Sequence, residues 1–252
     1  MFAEKRHMEI LKLLEEKNSV TVQELKELLD ASEATIRRDL TTLHNSGKLE
    51  KVFGGAVNRK AQISTMEYEV SYKKDLNKEE KLRVAKHAAS LIKKDDFVYL
   101  DAGTTTAYMI DFLTKENAVY VTNAVDHAKR MAARGLKVIL IGGRLKASTE
   151  AVVGSEALTS LQKYYFTIGF FGTNGIDREA GYTTPDTDEA AVKECAMKHT
   201  HNKYIITDHS KFDCISPVCF GAYGEAVILT DELPEGIYAE DSNIITVPES
   251  YA

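Results

Sequence analysis

Two groups of residues in this 252-residue sequence have side-chain types and spacing that could do chemistry. The first is Ser32-Glu33-Ala34-Thr35-Ile36-Arg37-Arg38-Asp39-Leu40-Thr41-Thr42-Leu43, closed by Gly47. Ser32 can accept hydrogen bonds from the free N–H groups of a helix start, Gly47 can end that helix in the left-handed conformation, and Ile36, Leu40 and Leu43 share one face. Thr35, Arg37, Arg38, Thr41 and Thr42 lie off that stripe. They form a row of hydroxyls and guanidiniums suited to base edges and phosphates in a DNA major groove. An ordinary amphipathic surface helix has the same pattern, so the neighbouring segments must decide.

The second group gathers at the ends of expected strands. Asp101-Ala102-Gly103-Thr104-Thr105-Thr106 offers free amides, the positive end of a helix dipole, a glycine and three hydroxyls, which together make a phosphate cradle. A simple Thr-capped strand-to-helix turn has the same composition, and both readings stand on the loop alone. It is neither the Walker A pattern nor the dinucleotide glycine fingerprint, so no nucleotide is implied. Gly181-Tyr182-Thr183-Thr184-Pro185-Asp186-Thr187-Asp188-Glu189-Ala190-Ala191-Val192-Lys193 follows, with Pro185 suited to a helix start. Glu189 and Lys193 are four apart on one face; as a surface ion pair they would contribute only a few tenths of a kcal/mol. Asp208-His209-Ser210-Lys211 follows an apolar strand at Tyr204–Thr207, while Asn123 and Gly142-Gly143-Arg144 end two others. Polar groups at successive strand ends fit one ligand pocket better than independent accidents.

The elements that must position these groups are legible in order. Ile10, Leu13 and Leu14 recur at helical spacing between Lys5 and Lys17. Thr21-Val22-Gln23-Glu24 is a capping box opening a second helix that ends near Asp30. Only Asp30-Ala31 then precede the Ser32 cap, and so short a connection forces the two helices to cross sharply, as in a helix-turn-helix. Residues 48–57 alternate polar and apolar around Gly54-Gly55 and read as a two-stranded wing whose lysines reach the DNA backbone, or as a plain hairpin without that contact. Residues 58–76 are polar, apart from alternating Met66, Tyr68, Val70 and Tyr72, and read as a linker. Beyond Asn77, whose side chain is placed to cap a helix running to about Lys93, strands and helices alternate. This rhythm predicts a mostly parallel sheet flanked by helices, with ligands outside the carboxyl ends of its strands.

Composition narrows the class. With 44% hydrophobic and 28% charged residues, the chain is neither disordered nor fibrous. Its net charge of −6 is unevenly spread: residues 1–60 carry 11 Lys and Arg against 10 Asp and Glu, and the remainder 21 against 28. The local excess, Arg37, Arg38, Lys48, Lys51, Arg59 and Lys60, lies beside the expected recognition helix, where it can meet phosphates. Cys195, Cys214 and Cys219 form no C-x-x-C pair and read as reduced; with His199, His201 and His209, Cys195 fits no common metal-ligand spacing. No apolar run approaches the ~20 residues of a membrane span, and the first residues show no signal-peptide apolar core, so the expected location is the cytoplasm. No metal or organic cofactor is called for.

Residues 5–57 resemble the N-terminal domain of the DeoR family of bacterial sugar-metabolism repressors, through Val22-x-x-Leu25, Thr35-Ile36-Arg37-Arg38-Asp39-Leu40, Gly47-x-Leu49 and Gly54-Gly55-Ala56. Phe53 stands where the family usually has a wing histidine. Residues 77–252 resemble the effector domain of the same family, through Asp101-x-Gly103-Thr104-Thr105, Thr122-Asn123, Ile141-Gly142-Gly143, Gly172-x-Asn174-Gly175, Thr184-Pro185-Asp186, Glu189-Ala190-x-Val192-Lys193 and Asp208-x-Ser210-Lys211. The run Ile141–Thr149 with Thr183–Asp186 looks most like fructose-operon repressors of Gram-positive bacteria.

The resemblance implies an α/β protein with an N-terminal winged helix-turn-helix over 1–57, a linker over 58–76, and over 77–252 a phosphosugar-sensing domain similar in fold to ribose-phosphate isomerases and coenzyme A transferases. It implies a repressor that binds double-stranded operator DNA as a homodimer or homotetramer, released by a phosphosugar, with fructose 1-phosphate the expected effector. Ser32, Thr35, Arg37, Arg38, Thr41, Lys48 and Lys51 are the expected DNA contacts. Thr104, Thr105 and Thr106, with Gly103, are expected to hold phosphate, and Lys193 and Lys211 to offset its charge. Asp101, Asp186 and Glu189 are expected to take sugar hydroxyls, with Asn123, Gly142, Gly143 and Asp208 completing the site. The competing expectation is an isomerase using Asp186 or Glu189 as base and Lys193 as its electrostatic partner. Activation in place of repression is a third.

Overall fold

The computed structural model describes residues 3–17, 19–46, 48–52, 54–57, 63, 65, 73–74, 76–114, 118–233, 238 and 240–248. Gly47, Phe53 and most of the expected linker lie outside the described residues. The chain divides into two compact units, Met1–Ile63 and Ser64–Ala252.

In the first unit α1 (Ala3–Lys17), α2 (Val22–Leu29) and α3 (Glu33–Asn45) enclose a core of Ile10, Leu14, Leu25, Leu29, Ile36, Leu40 and Leu43. The capping box forms as the sequence predicts: Thr21 Oγ1 accepts from Glu24 N–H at 3.1 Å, and Glu24 accepts from Thr21 N–H at 2.9 Å. Asp30 takes the left-handed conformation (φ 46°), ending α2 and turning the chain into α3, where Ser32 Oγ accepts from Thr35 N–H at 3.2 Å. The wing is β2 (Glu50–Val52) paired antiparallel with β3 (Gly55–Val57), and β1 (Ser19–Thr21) closes the other edge of β3. A Cβ on Gly55 would lie 2.1 Å from the Val20 carbonyl oxygen, so this close approach requires glycine.

In the second unit seven parallel strands form one sheet in the order β15-β14-β12-β9-β4-β5-β6. They are β4 (Phe97–Leu100), β5 (Val119–Thr122), β6 (Lys137–Leu140), β9 (Phe166–Phe171), β12 (Thr200–Ile206), β14 (Val227–Thr230) and β15 (Ile244–Thr246). Side chains alternate across β4. Val98 and Leu100 pack with α4 (Lys78–Ser90), α5 (Thr104–Met109) and α6 (Val125–Ala133), whereas Tyr99 faces α7 (Ser155–Leu161) and α8 (Thr187–Lys198). The strand order reverses at β4, which pairs with β5 on one side and β9 on the other, so the crevice outside the carboxyl ends of β4 and β9 is the natural ligand position.

Some details differ from the sequence reading. Asn77 sits at φ 50° and its side chain does not cap α4; Nδ2 donates instead to Asp208 Oδ1 at 2.8 Å. Asp186 caps α8 by accepting from Glu189 N–H at 2.8 Å, which leaves Pro185 one residue before the cap. The hairpin β7 (Arg144–Lys146) and β8 (Ala151–Val153), and the antiparallel sheet β10 (Gly175–Asp177), β11 (Gly181–Thr184) and β13 (Val218–Gly221), are additional to the expected alternation. Such short strands carry too few residues for a period-2 signal.

Candidate functional sites

On the first unit α3 presents its outer face as the sequence predicts, with its polar groups already engaged in part. Arg37 is exposed and donates to Glu33 Oε1 at 2.7 and 2.9 Å. Lys51 on the wing donates to Thr41 Oγ1 at 2.8 Å, joining wing to helix, and Thr41 in turn donates to the Arg37 carbonyl. Ser32 spends its hydroxyl on the cap and on Thr35 Oγ1. Arg38 and Lys48 are exposed. Arg38, Thr35 and Thr42 line a groove of about 350 Å³ against Arg6 and His7 of α1.

Asp39 is the inward residue of this face. Arg6 grips it through both oxygens, at 2.5 and 3.0 Å, and His7 Nε2 lies 3.0 Å from Oδ1. Burial pushes this carboxyl up, but the bonds and charges of Arg6 and His7 outweigh it and hold the group below its ordinary range. Asp39 therefore fixes α1 against α3 and is unavailable to solvent.

On the second unit a cavity of about 80 Å³ lies outside the carboxyl ends of β4, β9 and β12. The loop after β4 brings Gly103, Thr104 and Thr105; the loop after β9 brings Gly172, Thr173 and Asn174; the segment after β12 brings Thr207, Asp208 and Lys211. Glu189 and Lys193 reach it from α8, Lys81 from α4, and Thr149, Lys73 and Leu76 complete the wall.

The other expected residues lie elsewhere. Asp101 stands behind the wall, only 1% exposed, accepting from Lys193 Nζ and, at 3.1 Å, from Gly172 N–H. Among the described residues its Oδ1 has no hydrogen-bond partner. Burial raises the Asp101 carboxyl against the pull of Lys193. Thr106 turns inward, its Oγ1 lying 2.7 and 2.9 Å from the Asp101 and Gly103 carbonyls, with the buried His127 Nε2 at 3.4 Å. Asn123 Oδ1 accepts from Ala102 N–H at 2.8 Å and so shapes the loop from below. Asp186 pairs with Lys146 at 2.9 Å; burial opposes its ionisation, and Lys146 with the Glu189 amide overcomes that and lowers its pKa. Gly142 and Gly143 are exposed and do not line the cavity.

Glu189 and Lys193 do not pair with each other. Glu189 accepts from Thr149 and lies 3.3 Å from Lys146 Nζ, whereas Lys193 is 4% exposed and also donates to the Gly172 carbonyl at 3.0 Å. Asp208 accepts from Asn77 and from Ser210 N–H; burial opposes its ionisation, but Lys211, Lys81 and these bonds prevail and its pKa is lowered.

Lys81 is the functional candidate the sequence reading passed over. It is 4% exposed, and burial pulls its pKa down to about 8 against the attraction of Asp208. The signal was present: positions 81, 84, 85 and 88 form the buried stripe of α4, and Lys81 is its one charged member. Among the described residues His209, Asp231 and Glu232 bring three ligand-type atoms together, but His209 Nδ1 already bonds Asp231 at 2.7 Å and Arg83 lies at 4.0 Å, which disfavours a cation there.

Comparison with known proteins adds the following. Residues 6–62 match a DeoR-like helix-turn-helix domain, and residues 76–232 match a DeoR C terminal sensor domain. The chain is 42% identical, over 93% of both chains, to a Bacillus subtilis (strain 168) protein described as an uncharacterized HTH-type transcriptional regulator FruR. It is 34% identical, over 81% of both, to the lactose phosphotransferase system repressor of Staphylococcus aureus (strain NCTC 8325 / PS 47). Among solved structures, ribose 5-phosphate isomerase A from Methanocaldococcus jannaschii aligns at TM-score 0.40 and 16% identity, over 54% of this chain and 55% of that one. An eIF-2B translation initiation factor from Pyrococcus horikoshii OT3 aligns at TM-score 0.44 and 14% identity, over 85% and 74%. Among the described residues no helix is long and apolar enough to cross a membrane.

Proposed function

The chain belongs to the DeoR family of transcriptional regulators, and from that premise we propose that it represses a sugar-utilisation operon and is released from its operator by a phosphosugar, fructose 1-phosphate in the first instance. The observation that carries the effector class is the cavity in the second unit. Its lining brings Thr104 and Thr105 together with Lys81, Lys193 and Lys211, and with Asp208 and Glu189. Cations and hydroxyl donors suit a phosphoryl group, and carboxylates suit the hydroxyls of a sugar. The descriptions of the relatives as FruR and as a lactose phosphotransferase system repressor support a sugar-linked signal.

The cavity is small for this ligand. About 80 Å³ is well below the ~300–1,000 Å³ usual for small-molecule pockets, so a phosphosugar enters only if the wall yields. That is what a sensor requires, because a ligand shifts an equilibrium only through unequal affinity for two arrangements. In this reading the sensor binds without turnover: of the two alternative bases an isomerase could use, Asp186 lies outside the cavity and pairs with Lys146, and Glu189, which lines it, is held by Thr149 and by Lys146 at 3.3 Å.

On the first unit we assign DNA contact to the outer face of α3 and the wing, through Thr35, Arg37, Arg38, Thr41, Lys48 and Lys51, with Ser32 placing the helix start. The test is binding of the full chain to DNA from upstream of its own gene, at fixed salt, with and without fructose 1-phosphate. Release by this sugar alone supports the whole reading. Specific binding released by another phosphosugar replaces the effector, and binding released by none overturns the sensor assignment.

A further inference from the structure

α3 stands between two neighbours, its buried stripe being Ile36, Leu40 and Leu43. On one flank Thr41, with Arg37 four residues before it, faces the wing, and Lys51 donates to Thr41 Oγ1 at 2.8 Å. On the other flank Thr35, Asp39 and Thr42, four and three residues apart, border the groove of about 350 Å³ against Arg6 and His7 of α1. A helix about 10–12 Å across nearly fills a major groove about 12 Å wide, so the two DNA strands that bound the groove pass along the flanks of the helix. With the wing on one strand, the other strand lies along the α1 side.

That side is built to receive an anion. Asp39 is the one carboxylate among the described residues that line the groove, and Arg6 covers both its oxygens, at 2.5 and 3.0 Å. Burial opposes the ionisation of Asp39, but Arg6 and His7 overcome this and keep it charged. A charged carboxylate only accepts, so His7 Nε2, 3.0 Å from Oδ1, is the donor. Arg6 already neutralises this carboxylate, which makes His7 a second basic group beside a charge that is satisfied. The His7 side chain is 24% exposed and lines the groove. Arg38, across from it on α3, is exposed, and its guanidinium has no hydrogen-bond or ion-pair partner among the described residues. Two basic side chains from two helices thus border one groove whose carboxylate is already paired.

We infer that this groove seats a phosphodiester of the operator backbone, held by Arg38 from α3 and by the charged imidazole of His7 from α1. The inference rests on the DNA-binding reading above and extends the interface beyond α3 and the wing. An imidazole that gives Nε2–H to a carboxylate has a second donor, Nδ1–H, only when protonated. The bridge from Asp39 through His7 to phosphate therefore forms with uptake of a proton. The charged groups that face His7 are Asp39 and Arg38 of α3 and Arg6 of its own helix. Asp39 orients the ring, and α1 becomes part of the clamp: the wing holds one strand and α1 the other.

The experiment uses the full chain and its His7→Gln variant. Binding to a labelled duplex from upstream of its own gene, and to a scrambled duplex of equal length, is followed by fluorescence anisotropy across a range of salt, at about pH 6 and about pH 8. Glutamine places an amide N–H where His7 has Nε2–H, so it keeps the bond to Asp39 and lacks the second donor. Circular dichroism with thermal unfolding checks that the variant is folded. At the lower pH the wild type is expected to bind about tenfold more tightly than His7→Gln, with a salt slope steeper by about one, the signature of one more neutralised phosphate. At the higher pH the wild type is expected to approach the affinity and slope of the variant, whose own values change less. A purely structural part for His7 would alter affinity and leave the slope unchanged.

Equal slopes for the two proteins at the lower pH, on a duplex that both bind, overturn the inference and leave the DNA-binding reading standing. A slope difference that persists in full at the higher pH overturns the proton uptake. A slope difference on both duplexes, with no preference for the upstream one, keeps the phosphate seat and overturns that DNA as the operator. Binding of neither duplex by the wild type overturns both readings.

Discussion

Lys193 Nζ donates to Asp101 Oδ2 across 92 residues of sequence, tying the middle of α8 to the end of β4 in an ion pair closed off from water. Lys193 thereby holds up the floor of the effector site as well as lining it. Removing one member of such a pair leaves the other buried and uncompensated, at a cost of ~3–5 kcal/mol. Lys193→Ala is therefore expected to lose stability on that scale by urea unfolding and, because Lys193 also lines the cavity, to weaken the sugar response at temperatures where the variant stays folded. A variant with unaltered stability would show that water reaches Asp101 and that the pair is not closed.

The first unit has a corresponding lock at Asp39. Asp39→Asn keeps the shape but withdraws the charge from Arg6, whose side chain is 11% exposed. Because the pair lies nearer the surface than Lys193 and Asp101, the expected cost is lower, about 2 kcal/mol. The unit is expected to melt earlier, and operator affinity to fall because α1 no longer fixes α3. Equal melting temperatures for the two proteins would remove Asp39 from this role.

Glu33 holds Arg37 in an exposed pair four residues apart on α3. Such pairs contribute ~0.3–0.5 kcal/mol, so Arg37 gives up little to reach DNA. Glu33→Gln releases that hold and removes a negative charge facing phosphate. Operator affinity is expected to rise about twofold, whereas Arg38→Ala is expected to weaken binding across all sequences and reduce the salt slope by about one. A Glu33→Gln variant that binds more weakly would place Arg37 away from the DNA.

The local devices of this fold were legible before the structure. Thr21 with Glu24, and Ser32 with Thr35, are caps made within four residues, and the alternation of strands and helices needed only runs of apolar residues. Contacts between distant segments were not legible. Nothing near Lys193 announces Asp101, nothing near Asp186 announces Lys146, and Asn77, suited by type to capping, is claimed by Asp208. Lys81 falls between these cases: its place on the stripe with Val84, Ala85 and Ala88 was readable, but the cavity it faces is assembled from β4, β9 and β12 and exists only in the folded chain.

His127 sets an acid limit on the second unit. Burial pulls its pKa down to about 4 from an ordinary 6.5, so the folded chain keeps it neutral. As pH falls below about 6.5 the unfolded chain takes up a proton that the folded chain refuses. Stability is lost progressively until pH reaches the folded value near 4, a total of about 3 kcal/mol. His127→Gln, uncharged throughout, is expected to lose correspondingly less between about pH 7 and pH 4 in urea unfolding. Parallel profiles for the two proteins would mean that the imidazole protonates in place.

The threonines after β4 are expected to separate into two roles. Thr105 lines the cavity, whereas Thr106 turns its hydroxyl to the Asp101 and Gly103 carbonyls. Thr105→Val keeps the volume and removes a donor to the phosphoryl group. It is expected to weaken phosphosugar binding about tenfold or more, since a hydrogen bond to a charged group contributes ~1.5–3 kcal/mol, with stability and operator binding unchanged. Thr106→Val takes its donor from the buried Asp101 carbonyl, while the Gly103 carbonyl keeps the Ala107 N–H, and is expected to cost ~1–3 kcal/mol of stability, with a smaller effect on sugar affinity at temperatures where it stays folded. Calorimetry and urea unfolding on both variants distinguish the two residues. If Thr106→Val lost the sugar at full stability while Thr105→Val kept it, the phosphate would have to approach the loop from the His127 side, and the cavity facing Lys81 would no longer be the effector site.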